Sequence, residues 1–226
     1  MKDIEQLIQN YASKNLETKR NWYSEVASLY DWARPRYPQT IFEYLRAQLP
    51  HPLQAVEIGC GPGIATSSLA SFSQRLIALE PSSVACEMAQ VKTAHLPQVN
   101  ILNTSFEEWQ PGSLVLLDAV IATTSWHWLE PTLRLTKTAQ LLRSQGHLVL
   151  LWNTPPMPSE TEFAHLQPIL RSYAPELAEY VNLSEYHQNF AGFASEIEAS
   201  GLFGAVQTTS EICQISYSIP QFLGLL

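Results

Sequence analysis

At 226 residues the chain has room for one large domain or two small ones, and an apolar fraction of 46% can fill a sizeable core. The net charge of −8, with 13 Lys and Arg in all, argues against a nucleic-acid partner, which normally needs a basic face. There is no apolar run of about 18 residues to span a membrane, and no signal-peptide core at the amino-terminus. The three scattered cysteines show no CxxC and no zinc spacing, which points to a reducing cytoplasm and no metal.

Along the chain, Ile4, Leu7, Ile8 and Tyr11 recur at helical spacing. A second helical pattern over residues 21–33 puts Trp22, Val26, Leu29 and Ala33 on one face. Arg34-Pro35 and Tyr37-Pro38 break it. A third helix is expected over QTIFEYLRAQL, residues 39–49.

From residue 54 short apolar runs alternate with helices. QAVEIG reads as a first strand and RLIALE as a second, VNIL as a third, SLVLLDAVIATT contains a fourth, and HLVLLWN is a fifth. Between the first two lies a helix with Ala65, Leu69 and Phe72 inward. The next has Val84, Met88 and Val91 inward and Ser82 or Ser83 as its N-cap. PTLRLTKTAQLLRSQG reads as a helix begun by Pro131 and capped by Gly146. Apolar strands joined by helices imply a parallel sheet covered on both faces, and right-handed crossovers make it a doubly wound α/β fold.

Beyond NTPPMPSE, residues 160–190 read as an aromatic-rich helical insertion over the carboxyl edge of the sheet. FASEIEASGLF reads as another helix, and residues 205–217 alternate as an edge strand. SIPQFLGLL looks like a helix just begun.

Glu57-Ile58-Gly59-Cys60-Gly61-Pro62-Gly63 closes the first strand. Alternate glycines let the backbone turn sharply and let a ligand come close. A dinucleotide fingerprint would place its last glycine at residue 64, where this chain has Ile64. That residue and the acid at Glu57 disfavour a nicotinamide oxidoreductase. Glu80 ends the second strand, 21 residues after Gly59, where a carboxylate can accept both hydroxyls of a ribose or simply face solvent.

VEIGCGPG, LEPS, FEEW after the third strand and SWHWLEP after the fourth resemble class I S-adenosylmethionine-dependent methyltransferases. YDWARPRYP at residues 30–38 is similar to a stretch of the trans-aconitate methyltransferase-like, small-molecule branch, and the resemblance runs from about residue 22 onward. It implies a Rossmann-like, seven-strand-type sheet and S-adenosylmethionine as cofactor, with S-adenosylhomocysteine as product.

The resemblance further implies that Gly59, Cys60, Gly61 and Gly63 shape the loop under the methionine part, while Glu57 draws its ammonium group. Glu80, with Pro81, takes the ribose. Thr104 and Ser105 stand where many relatives carry an Asp for the adenine, and Phe106 covers the ring or packs in the core. Ala122 and Thr123 lie beside the sulfonium. Arg34 pairs with the cofactor carboxylate and Tyr30 helps to close the site, whereas Arg36 is a surface residue. Trp126, His127 and Trp128 fall where the acceptor binds. Trp126 offers an aromatic face, and His127 acts as general base, orients the acceptor, or is structural.

Asn153-Thr154-Pro155-Pro156 mimics a motif of amino-group methyltransferases. It follows the fifth strand rather than the fourth and lacks the closing aromatic, so it reads as a loop ending that strand. The tyrosines and histidines of the insertion, His165, His187, Tyr173, Tyr180 and Tyr186, line an acceptor pocket or pack.

The chain is expected to be a single domain. Its parts are a helical lid over 1–50, a cofactor core over 51–153, an insertion over 154–200 and an incomplete strand region over 201–226. No residues are left for a seventh strand, so the open sheet edge needs cover, for instance from a second copy of the chain. Two functions are carried forward: methyl transfer to a small molecule, and cofactor binding on the same fold without catalysis.

Overall fold

The computed structural model of the chain describes residues 15–112, 116–154, 156–180 and 183–225, and the amphipathic stretch over residues 4–11 lies outside them. Helix α1, Leu16–Ala33, starts where the Asn15 side chain accepts the Thr18 N–H at 2.8 Å. It stops at the Arg34-Pro35 pair, because the residue before a proline is forced out of helical geometry. On this helix Ala27 and Ala33 are buried and Leu29 is half exposed, while the Trp22 and Val26 side chains are outside the described set. Helix α2, Gln39–Gln48, buries Phe42 and Leu45.

The sheet is made of β1 (Leu53–Ile58), β2 (Ser73–Leu79), β3 (Val99–Leu102), β4 (Leu117–Thr123) and β5 (Leu142–Leu151). They pair in the order β3-β2-β1-β4-β5, all parallel. In β1, Val56 and Ile58 join a cluster with Phe106, Trp126, Phe193 and Ile197. Leu53 and Ala55 join one with Phe42, Leu45, Leu69 and Phe72. Both faces are thus covered, as a doubly wound sheet requires. Strand order reverses between β1 and β4, and the carboxyl ends of strands at such a switch point are where sheets of this kind bind ligands.

Helix α3, Thr66–Ala70, is short, and Ala65, Leu69 and Phe72 point inward as expected. Helix α4, Ser83–Thr93, is capped by Ser82, but its inward face is Ala85, Cys86, Ala89 and Thr93. Val84 and Val91 are exposed instead, Val91 by 77%. The reason is space. The glycine turn presses on this helix, and a Cβ on Gly63 would already lie 3.4 Å from Ala89. Only small residues fit that face.

Helix α5, Pro131–Leu141, ends five residues before Gly146, which lies inside β5 and caps nothing. Leu142 already pairs with Leu117 of β4. Helix α6, Glu160–Tyr173, opens with a Ser159/Glu162 capping box. Helix α7, Leu183–Ala199, is one continuous element and sends Phe193 and Ile197 into the core.

The expected strand over residues 205–217 is absent. The segment is extended without a ladder, and Ile212 is 78% exposed. Period-2 alternation needs a partner edge and a face to bury; this segment has no partner edge and packs only Val206 against the core. Helix α8, Ile219–Leu223, follows and lies against Leu29 and Ala33 of α1. Among the described residues the sheet therefore lacks the sixth strand as well as the seventh. No helix among them is long and apolar enough to cross a membrane, and no His/Cys/Asp/Glu group among them could hold a metal ion.

Candidate functional site

The turn after β1 is tied down at both ends. Cys60 N–H donates to the Leu79 carbonyl and Gly63 N–H to the Cys60 carbonyl, each at 3.0 Å. Gly59, Gly61 and Gly63 have φ of 64°, 55° and 81°, a region that costs an L-residue energy. Gly59 is further constrained, since a Cβ there would lie 2.6 Å from Ser125 Cβ. Ser125 in turn donates its hydroxyl to the Ile58 carbonyl.

Glu80 clasps this turn. One carboxylate oxygen accepts Gly61 N–H and the other accepts Ser82 N–H, both at 2.8 Å. Each oxygen keeps a free lone pair. Burial pushes the carboxyl up to about 7, against the pull of the two N–H groups, and Glu57 adds to the rise. Asn103 braces the same corner from β3, donating to the Glu80 carbonyl at 2.9 Å and the Pro81 carbonyl at 3.1 Å. In the sequence Asn103 only opens the stretch that follows the third strand. An Asn one position after a strand is a turn signal and gives no hint of a cross-strand brace.

Glu57 lies beneath the turn. It is fully buried, and its two oxygens accept the hydroxyls of Thr66 at 2.7 Å and Thr123 at 2.8 Å. Burial pushes its carboxyl up to about 7 despite both bonds. It ties α3, β1 and β4 together beneath the glycine turn. Ala122, also fully buried, and Cys60 sit in the same layer.

After β3, Ser105 accepts the Glu108 N–H at 3.2 Å and starts the next turn, while Thr104 is half-buried. Phe106 belongs to the core, 2% exposed. The Lys137 ammonium lies 5.1 Å from its ring centre. Of its two expected roles, packing accounts for this position.

The segment after α1 crosses the carboxyl ends of the strands. The Arg34 guanidinium lies 5.4 Å from the centre of the Tyr30 ring and donates through Nη2 to the Asn153 carbonyl. Its Nε–H is buried without a partner. Burial raises the Tyr30 hydroxyl, Arg34 opposes the rise and Glu80 adds to it, so all three groups share one neighbourhood. A polar seam docks α1 on α4. Ser24 meets Ser82 at 2.8 Å, and Asp31 takes Lys92 at 2.5 Å and Arg36 at 3.0 Å. Arg36 is otherwise a surface group.

Trp126–Trp128 forms a single 3-10 turn. Trp126 is fully buried, with Arg134 stacked 5.4 Å from its ring centre and bonded to its carbonyl at 3.2 Å. Arg134 is fixed by Glu196 of α7. Trp126 therefore packs in the core and offers no aromatic face to a ligand. His127 stands beside Trp128, with ring centres 5.7 Å apart. Burial first, then Arg134 and Arg34, push its imidazole down to about 4, so it is neutral at pH 7. In the insertion, Tyr173 is 87% exposed, Tyr180 packs on Phe163 at 5.2 Å, and His165 and His187 are exposed. The Tyr186 side chain lies outside the described set.

Residues 56–150 match the family described as methyltransferase domain. An uncharacterized methyltransferase of Mycobacterium tuberculosis is 32% identical over 133 residues, 58% of this chain and 52% of the relative. CRG1 of Saccharomyces cerevisiae, a probable S-adenosylmethionine-dependent methyltransferase, is 25% identical over 141 residues, 61% of this chain and 45% of that protein. The chain thus spans about half the length of the curated relatives it matches. Two solved structures share the fold. A candidate type II methyltransferase from Anaeromyxobacter dehalogenans has a TM-score of 0.50 at 24% identity, covering 64% of this chain and 58% of that one. The [4+2]-cyclase SpnF has a TM-score of 0.51 at 16% identity, covering 61% and 60%.

Proposed function

We propose that this chain, whose residues 56–150 match the family described as methyltransferase domain, moves the methyl group of S-adenosylmethionine to a small-molecule acceptor. The observation that carries this reading is the glycine turn held open by Glu80. Three positive-φ glycines bare the backbone, and two carboxylate oxygens each keep a lone pair beside it. That donor and acceptor set suits an adenosyl amino acid. Glu80 accepts the ribose hydroxyls, and Gly59, Gly61 and Gly63 let the thioether chain lie on the backbone.

The polar Thr104 side chain and the Ser105 backbone stand where the adenine edge would fall. Tyr30 and Arg34 cover the amino-acid end, where the unpaired Arg34 Nε–H suits a carboxylate. Glu57 acts from below, by fixing Thr66 and Thr123 so that the turn keeps its shape.

When bound, the cofactor supplies an electrophilic methyl group on a cationic sulfur. What this chain adds is alignment and the exclusion of water. Arg134 and Trp126 fix the 3-10 turn, which sets His127 and Trp128 at the carboxyl end of β4. A neutral His127 held near 4 is a weak base at pH 7, so it orients the acceptor by a hydrogen bond. The domain is read as one unit, with residues 1–50 as a lid, 51–153 as the cofactor core, 154–200 as the insertion and 201–226 as its carboxyl-terminal part. The cysteine pattern supports a cytoplasmic setting.

A second reading rests on the five-strand sheet and the exposed segment after α7: the chain binds the cofactor without transferring its methyl group. Incubation with S-adenosylmethionine and a panel of carboxyl, hydroxyl and amino acceptors separates the two. Release of S-adenosylhomocysteine that depends on one acceptor class supports transfer. Tight cofactor binding with no release across the panel supports the second reading.

A further inference from the structure

The loop that ends β5 looks idle in the sequence, yet it is bound to the Arg34 segment at several points. Asn153 Nδ2 donates to the Pro35 carbonyl at 2.6 Å, and the Asn153 carbonyl accepts Arg34 Nη2. The hydroxyl of Thr124, just past β4, accepts Asn153 N–H at 3.3 Å and meets the Tyr37 hydroxyl at 2.8 Å. Thr124 N–H donates to the Leu151 carbonyl at 2.7 Å. One knot therefore joins the ends of β4 and β5 to residues 34–37.

Thr124 has φ of 54°. A β-branched residue seldom occupies that region, and such strain persists where the surroundings over-determine it. Here the left-handed turn puts the Thr124 hydroxyl between Tyr37 and Asn153. A knot that served only to close the sheet would have no need to leave a charged donor without a partner. The buried Arg34 Nε–H is such a donor. Leaving it bare costs free energy unless a ligand meets it.

We propose that Asn153 and Thr124 are positioning residues for Arg34, holding its guanidinium so that the free Nε–H meets the carboxylate of the cofactor's amino-acid tail. This rests on the cofactor reading of the preceding section. Asn153 fixes the chain at Pro35 and takes Nη2 of the guanidinium, which leaves the Nε–H without a protein partner. Thr124 fixes Asn153 and Tyr37 together.

The test compares two ligands by calorimetric titration. S-adenosylhomocysteine carries the amino-acid tail, and 5′-methylthioadenosine has the same adenosine and thioether without it. For Asn153→Ala and Thr124→Gly, affinity for S-adenosylhomocysteine should fall about tenfold, the weight of one charge-assisted hydrogen bond, while methylthioadenosine affinity stays within about twofold of wild type. Thr124→Ser, which keeps the hydroxyl, should bind both ligands as wild type does. Should Asn153→Ala fail to fold, Tyr37→Phe removes a single hydroxyl of the knot and should give the same selective loss in weaker form.

Equal weakening of both ligands would show a general structural role and overturn the proposal, as would wild-type affinity in the variants. A wild type that binds methylthioadenosine and S-adenosylhomocysteine equally would overturn it while leaving the cofactor reading intact. A wild type that binds neither ligand would sink both.

Discussion

The carboxyl ends of β1 and β4 and the segment over residues 204–218 differ in a way that neither sequence announces. Both alternate or run apolar over six or more residues. The first region is a ladder buried on both faces, and every residue of β4 is buried. The second has no ladder, and its isoleucines face solvent, Ile212 by 78% and Ile215 by 44%. A strand is made by its neighbours. Val120 and Ile121 gain β1 on one side, β5 on the other and a helical layer above and below. Residues 204–218 gain Val206 packed against the core, a hydroxyl bond from Thr40 to Glu211, and the docking of α8 on α1.

Gly59→Ala should cost the most. A Cβ there collides with Ser125 and takes a left-handed backbone, so urea unfolding should show a loss of about 3 kcal/mol. A loss under about 0.5 kcal/mol, the size of an ordinary surface change, would mean that the turn is looser than its contacts imply.

Next in size is the response to pH. Glu57 and Glu80 have carboxyls raised to about 7 from 4.5, so the folded chain holds protons more tightly than the unfolded one between those values. Their ionisation therefore lowers stability as pH rises from 4.5 to 7. His127 works the other way: its folded value of about 4 lies below the free value of 6.5, so stability falls as pH drops through that window. Glu57→Gln removes the first contribution at one site. Relative to wild type it should be more stable at pH 8 than at pH 5, measured by denaturant midpoints, and a flat difference would place Glu57 nearer to solvent. Affinity for S-adenosylhomocysteine should fall below about pH 7, as Glu80 gains a proton and loses an acceptor site.

The smallest effect belongs to the other region. Ile212→Ser and Ile215→Ser should each change stability by under about 0.5 kcal/mol, as exposed positions do. A loss above about 1 kcal/mol in unfolding experiments would show that this segment is buried in solution, against something the isolated chain does not reveal.

What could be read from the sequence follows the same divide. The glycine turn, Glu80 and the five parallel strands announce themselves locally, through backbone permissiveness, spacing and apolar runs. The Ser82 cap is local too. Partners far apart in the chain are not readable this way. Nothing marks Thr66 and Thr123 as the two hydroxyls on Glu57, or Asn103 as the brace of the Glu80 corner. Nothing in NTPP says that Asn153 holds Pro35. The inward face of α4 is not legible because the valines look like core, whereas the glycine turn pressing on Ala89 favours small residues there. Trp126 shows the same limit: its position after β4 suggests a ligand, whereas its packing under Arg134, held by Glu196 of a distant helix, is invisible in the sequence.

The central claim is that Glu80 and the glycine turn form an adenosyl site, and the most direct test is titration of S-adenosylhomocysteine into wild type and Glu80→Ala. Wild type should bind saturably and the variant about a hundredfold more weakly, since the ribose acceptors go and Gly61 and Ser82 lose their clasp. Absence of binding by wild type, or equal affinity in the variant, would contradict it.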